Sequence, residues 1–324
     1  MRKLFGYYRQ FDELSPDEVS AELRARRDDE RARDVVEQPA LDLSGAAWHG
    51  PPHPEIVNAA TFALRRAVNE YPDVGPLRQA IAASHDVDPA RVVVGHGASE
   101  LLRAAVRAVA TGEVALVWPG WQWLPALVEE AGARPVPVER AEPGRTTVLT
   151  RPADPTGAVA ALEPGDDWLI VDEALADFLP GGAEIVDHPR VIQVRSFSKA
   201  HAMAGFRVGY AIVGTGVELP LAPVLGVGAA AVAGALWAVE NGAPGVARRR
   251  EQVERERARL VDALGPRVVD GVGPYVWLEA NAEALAAARI YVAPGSAWGS
   301  DRHVRVTLRD EAATTRLLAA LGAA

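Results

Sequence analysis

No cysteine occurs in the 324 residues of this chain. Disulfides, thiolate nucleophiles and cysteine-based metal sites are excluded, while the compartment stays open on this ground. Lysine is nearly absent too. Lys3 and Lys199 are the only two among 34 basic residues, and the other 32 are arginines. Arginine replaces lysine wherever a fixed surface charge is enough. It cannot do so where a neutral amine must condense with a carbonyl, because guanidinium stays protonated. Lys199, far from the N-terminus, is therefore a candidate for amine chemistry. The plainer reading is a surface lysine after a buried strand.

Positive charge is also in deficit. The formal net charge of -9 argues against a nucleic-acid or anionic-membrane partner. The N-terminal MRKLFGYYRQ has no apolar signal core, so a cytoplasmic location is expected. One stretch, residues 219–239, has membrane-span length and no charge. It is built of Ala and Gly rather than Leu and Ile, and Pro220 and Pro223 delay any helix. A buried helix at a domain or subunit interface is the expectation there. Hydrophobic residues at 49% and charged residues at 24% are ordinary for a globular protein that can hold one large and one smaller domain.

Ser15-Pro16-Asp17-Glu18 reads as a capping box opening a charged helix to about residue 36. Residues 41–56 read as a strand-like start and a Pro/Gly loop, followed by helices near 54–68 and 74–84. Short apolar runs then alternate with amphipathic helices. RVVVGHG, EVALVW, RPVPVE, TTVLTRP, DWLIVDEA and RVIQVRS are expected strands; SELLRAAVRAVA and WQWLPALVEEAG are expected helices. This is the pattern of an α/β, doubly wound, mostly parallel sheet. FRVGYAIVG is expected to add an antiparallel edge strand. After Asn241-Gly242-Ala243-Pro244-Gly245 a charged helix and a few strands suggest a smaller α+β domain. The expected division is residues 1–45 as an arm joining the small domain, 46–242 as the large domain and 243–324 as the small one.

The densest motif is Ser196-Phe197-Ser198-Lys199 followed by Gly205, Arg207 and Gly209. Gly95-His96-Gly97-Ala98-Ser99-Glu100 lies between a strand and a helix, where backbone amides can approach an anion. Glu100 reads equally as a helix-capping acid or a site residue. Asp172 ends a strand, where a carboxylate of a doubly wound sheet faces the ligand crevice. Trp118-Pro119-Gly120-Trp121 follows another strand.

With these motifs in this order, the chain resembles the fold-type I pyridoxal-phosphate enzymes over roughly residues 40–310. Within them it is most similar to the class I/II aminotransferase group, near histidinol-phosphate aminotransferases and threonine-phosphate decarboxylases. The resemblance implies a Schiff base between Lys199 and pyridoxal 5'-phosphate, with no metal. It implies phosphate contacts from Ser196, Ser198, Arg207, Ala98 and Ser99. Trp121 would stack on the pyridine ring, and Asp172 would pair with its nitrogen. Tyr71, in a Tyr-Pro-Asp segment, would reach the neighbouring subunit's phosphate, so a homodimer with composite sites is implied. Arg305, with the turn at Ala293-Pro294-Gly295-Ser296 before its strand, would hold the carboxylate of an amino-acid substrate. Trp118 and Trp123 are read as apolar packing residues.

Three departures accompany the resemblance. The family's N-P-N-N-P-T-G stands here as Arg151-Pro152-Ala153-Asp154-Pro155-Thr156-Gly157, so Asp154 replaces an asparagine that donates to the cofactor's phenolic oxygen. Leu175 replaces a tyrosine in the segment Asp172-Glu173-Ala174-Leu175. Residues 44–48 do not match the family's N-E-N-P. Asp154 is expected to face the cofactor, or else to turn to a nearby arginine such as Arg151. The expected function is a pyridoxal-phosphate-dependent aminotransferase. Decarboxylation, elimination or replacement, and oxidation of an amino acid remain alternatives, as does a non-catalytic relative.

Overall fold

The computed structural model describes residues 39–142, 144–219 and 226–323, together with residues 21 and 23–25. Lys3, most of the expected N-terminal helix and part of the uncharged 219–239 stretch lie outside the described residues.

Among the described residues, seven strands form the central sheet. They are β2 (Val92–Gly95), β3 (Glu113–Val117), β4 (Arg134–Val138), β5 (Thr147–Thr150), β6 (Leu169–Asp172), β7 (Val191–Ser196) and β8 (Gly209–Val213), in the order β2-β8-β7-β6-β5-β3-β4. The pairs β4/β3, β3/β5, β5/β6 and β6/β7 are parallel, and the consecutive pairs are joined by long crossover connections, as parallel strands require. Prolines 135 and 137 sit on β4, which ends the sheet, where a missing N–H breaks no ladder. The strand Gly209–Val213 is antiparallel to both neighbours, but it lies inside the sheet rather than at its edge. Its run Ala211, Ile212 and Val213 is at most 3% exposed, in keeping with an interior strand. The edge belongs to Val92–Gly95.

Side chains alternate across each strand, and this sets up the site. Val148, Ile170, Ile192 and Val194 point to one face and pack under helices α3 (Ala98–Val109) and α4 (Leu124–Glu130). Two residues further along each strand, this face carries Thr150, Asp172 and Ser196. Leu149, Leu169, Val171 and Val191 fill the opposite face. The next residues there are Arg151, Glu173, Gln193 and Arg195. Glu173 accepts from Arg151 at 3.2 Å, Arg195 at 2.9 Å and Gln193 at 3.1 Å, so four buried polar side chains satisfy one another.

Helix α1 (Pro54–Ala67) crosses α5 (Ala229–Asn241), the described part of the Ala/Gly-rich stretch. A Cβ on Gly234 would lie 3.2 Å from both Ile56 Cγ2 and Met203 Cε, so the small residue allows the close packing expected of this segment. No described helix is long and apolar enough to cross a membrane. Helix α6 (Ala243–Leu264) and helix α8 (Glu311–Ala320) cover a second, antiparallel sheet of four strands. Its order is β12 (Ala293–Pro294), β13 (His303–Thr307), β10 (Tyr275–Glu279) and β9 (Val268–Val269). Its core includes Val253, Leu260, Tyr275, Val304, Val306 and Leu317. Strand β1 (Leu41–Asp42) pairs in parallel with β11 (Ile290–Tyr291) beside it.

Candidate active site

A cavity of about 220 Å³ opens at the C-terminal ends of β5, β6 and β7. Every predicted site residue except Tyr71 lines it. The polar ends of the alternating rows, Thr150, Asp172 and Ser196, form its floor.

At one end the loop before α3 brings an anion-seeking set together. Gly97 caps that helix with φ of 82°, and a Cβ there would come within 2.8 Å of an Arg207 guanidinium nitrogen. Gly209 packs just as closely: its Cβ would lie 2.6 Å from the Arg195 carbonyl and 3.1 Å from Gly97 Cα. These two glycines let the loop, the start of β8 and Arg207 converge. Arg207 itself adopts φ of 52°, a left-handed conformation that costs a side chain on the order of 1 kcal/mol. Its guanidinium bonds the Ala204 carbonyl at 3.0 Å. Ser196 and Ser198, both buried, exchange a hydroxyl hydrogen bond of 2.9 Å. Glu100 takes the capping role: it accepts from the His96 N–H at 2.5 Å and does not line the cavity.

In the middle stands Lys199. Burial lowers its amine's pKa, helped by Arg305 and Arg207 and opposed by Asp172 and Asp154. Asp172 is 4% exposed and accepts from the Ala174 N–H at 3.1 Å. Burial, with repulsion from Asp154 and Glu173, pushes its pKa up to about 6. Trp121 is held by its backbone N–H, which donates to Thr150 Oγ1 at 3.2 Å. Thr150 escaped the motif reading, although its period-two position after Val148 marks the face. Trp118 packs against the core under α3 and α4, as read from sequence. Trp123 does not pack: it is 61% exposed, because the turn before α4 points it outward.

The far wall comes from the four-stranded sheet. Arg305 is 6% exposed. Its Nη1 donates to both carboxylate oxygens of Asp154, at 2.9 and 2.8 Å, and its Nη2 to the Ser44 carbonyl at 2.6 Å. The guanidinium lies 5.4 Å from the ring centroid of Tyr275 and 5.1 Å from that of Trp298. Trp298 in turn donates to the Gly120 carbonyl at 2.9 Å, tying this wall to the Trp121 loop. Asp154 thus turns to Arg305, not to Arg151, which is committed to Glu173, Glu184 and the Ala160 carbonyl. Nothing in the motif spacing announced Tyr275 or Trp298, since aromatic clamps carry no fixed sequence interval. Leu175 lines the cavity as an apolar residue and belongs to the core of the smaller sheet. Tyr71 is 74% exposed and outside the cavity.

Residues 148–321 match the family model for aminotransferase class I and II. The chain belongs to this family. It is 33% identical to a histidinol-phosphate aminotransferase of Rubrobacter xylanophilus, covering 84% of this chain and 88% of that one. It is also 33% identical to an aromatic amino acid aminotransferase of Mycobacteroides abscessus, covering 78% of this chain and 84% of that one. Among solved structures, the fold matches a histidinol-phosphate aminotransferase of Sinorhizobium meliloti in complex with pyridoxal-5'-phosphate. The TM-score is 0.73 at 22% identity, with 89% and 91% of the two chains covered. A double mutant of Thermus thermophilus aspartate aminotransferase matches with a TM-score of 0.75 at 24% identity, covering 96% and 98%. This aminotransferase is a pyridoxal-phosphate-dependent enzyme.

The residues present fit that cofactor. One end of the cavity offers a helix N-terminus, two buried hydroxyls and a guanidinium held where a Cβ on Gly97 would stand, which suits a phosphate. The floor offers a buried carboxylate for a ring nitrogen, and Lys199 lies beside it with a depressed pKa.

Proposed function

We propose that the enzyme transfers the amino group of an amino acid or related primary amine to a 2-oxo acid, with Lys199 carrying the cofactor. The supporting observation is the cavity that joins a half-buried amine, a buried strand-end carboxylate and two arginines. Ala98, Ser99, Ser196, Ser198 and Arg207 would hold the phosphate, Trp121 the ring face and Asp172 the ring nitrogen. We assign these groups to a cofactor domain of residues 46–242, and Arg305 to a small domain of residues 243–324.

When bound, pyridoxal phosphate supplies an aldehyde for the substrate amine and an electron-withdrawing ring that draws on its α-carbon. Arg305 binds the substrate carboxylate and so fixes which bond at the α-carbon is presented. Lys199 Nζ, brought toward its neutral form by burial, takes the proton from that carbon. Asp172, its pKa pushed up to about 6 by burial in the cofactor-free protein, would hold a proton on the ring nitrogen when ionised.

Product analysis tests the reaction type. The loaded enzyme, given an amino acid labelled with nitrogen-15 and an unlabelled 2-oxo acid, is expected to place the label in the amino acid derived from that oxo acid. Carbon dioxide or ammonia release that needs no oxo acid would contradict amino transfer.

We further propose a homodimer. Val57, Phe62, Leu64, Val68 and Tyr71 are all large, exposed apolar residues within one short stretch, a concentration that marks an interface. Sedimentation at micromolar concentration is expected to give about twice the chain's mass, and Phe62→Asp to lower it. A wild-type monomer with full turnover contradicts this reading.

A further inference from the structure

Among the described residues, three cationic side chains line the cavity: Lys199, Arg207 and Arg305. In the reading above, the first carries the cofactor and the second faces its phosphate. Among the described residues this leaves Arg305 for a substrate carboxylate, and it already carries one carboxylate of the protein's own, with its buried Nε still unpaired. Nη1 spends both hydrogens on Asp154, and Nη2 gives one to the Ser44 carbonyl. Both side chains of the pair are less than a tenth exposed. The pair is therefore close to neutral as a unit and shielded from solvent.

A second carboxylate arriving at Arg305 would leave two anions on one buried guanidinium. Two carboxylates at such a distance share a proton rather than both staying ionised. The groups facing Asp154 do not relieve this. Arg305 on β13 is the shared cation, Lys199 after β7 is committed to the cofactor, Asp172 at the end of β6 adds negative charge, and Tyr275 on β10 is a buried neutral phenol. An amine without a carboxylate meets none of this cost, because the ion pair stays intact.

We propose that Asp154 is a specificity-determining residue that occupies the carboxylate receptor, so that a substrate carboxylate binds Arg305 only with uptake of a proton from solvent, retained between that carboxylate and Asp154. This rests on the reading of Arg305 as the carboxylate receptor. It makes amino acids weaker substrates at high pH than the same amines lacking a carboxylate. Burial raises the pKa of Asp154 despite the pull of Arg305 and Lys199, the direction that favours proton uptake. The sign follows: the proton must be taken up wherever Asp154 is ionised, so carboxylate binding strengthens as pH falls toward its pKa.

The test uses the pyridoxal-phosphate-loaded enzyme and 3-phenylpropionate, a carboxylate with no amine. Titration calorimetry at about pH 8, in two buffers of different ionisation enthalpy, is expected to show uptake of about one proton per site. Asp154→Asn, which keeps the shape and leaves Arg305 an amide oxygen, is expected to abolish the uptake and tighten binding at least about tenfold. In the same variant, the ratio of kcat/KM for phenylalanine to that for 2-phenylethylamine is expected to rise by a similar factor. No proton uptake by the wild type, no tightening in the variant, or no binding to either protein overturns the proposal. The double variant Arg305→Gln with Asp154→Asn separates the two readings. If it binds 3-phenylpropionate as well as Asp154→Asn does, Arg305 is not the receptor and both readings fall. If it loses binding while Asp154→Asn alone matches wild type, the receptor stands and only the role of Asp154 falls.

Discussion

Lys199→Arg is expected to lower kcat for amino transfer by about 10²–10⁴-fold or more, while leaving the folded protein intact. Charge and length are nearly preserved, so the loss isolates the chemistry. Guanidinium neither condenses with an aldehyde nor returns as a neutral base to the substrate's α-carbon. The site's electrostatics favour the amine for both tasks. Burial and the two nearby arginines press Lys199 toward its neutral form, and Asp172 and Asp154 keep that effect moderate. Kinetics of the variant, with thermal unfolding as a check on folding, measure this. A variant with near wild-type turnover would remove Lys199 from the reaction.

Asp172→Asn is expected to separate function from stability. Without cofactor, Asp172 is a buried carboxylate whose pKa rises from an ordinary 3.8 to about 6. A raised carboxylate pKa means that the folded state holds its proton more tightly than the unfolded state. Stability then falls as pH rises from about 4 through about 6, and the cost is fully present at neutral pH. The size of the shift corresponds to about 3 kcal/mol. The cofactor-free variant should therefore be more stable than wild type at about pH 7.5, by up to that amount, and equal to it near pH 4. Activity should move the other way. Losing the charge opposite the ring nitrogen is expected to lower kcat by about 10²–10³-fold, the size seen when one preorganised electrostatic partner is removed. Denaturant unfolding of both proteins at the two pH values, together with steady-state kinetics, checks this. A variant less stable at neutral pH would show that the fold stabilises the ionised carboxylate beyond the Ala174 N–H bond that an amide oxygen can keep.

The site was largely legible in the sequence because its residues sit in local motifs tied to strand ends. Lys199, Ser196, Ser198 and Arg207 fall within one short segment, and Asp172 closes an apolar run. The cavity brings them together with Arg305, which lies 98 residues beyond Arg207 and further from the rest. What escaped reading depends on contacts between distant segments. Asp154 was recognised as a departure, but its partner on β13 is 151 residues away, and no spacing rule connects them. Tyr275 on β10 and Trp298 on the turn between β12 and β13 clamp Arg305 from two other segments. The alternation that sends Thr150, Asp172 and Ser196 one way and Arg151, Glu173 and Arg195 the other was present in the sequence. Reading it required trust in period two through the polar residues at the strand ends. The strand Gly209–Val213 looked like an edge because antiparallel additions to parallel sheets often end them. Instead Val92–Gly95 pairs on its outer side, a choice made by tertiary packing.

Borohydride reduction of the pyridoxal-phosphate-loaded enzyme, followed by protease digestion and mass mapping, tests the role of Lys199 most directly. The reduced pyridoxyl group is expected on the peptide that contains Lys199, and on no other. A label on Lys3, or no label on protein that still holds the cofactor, contradicts it.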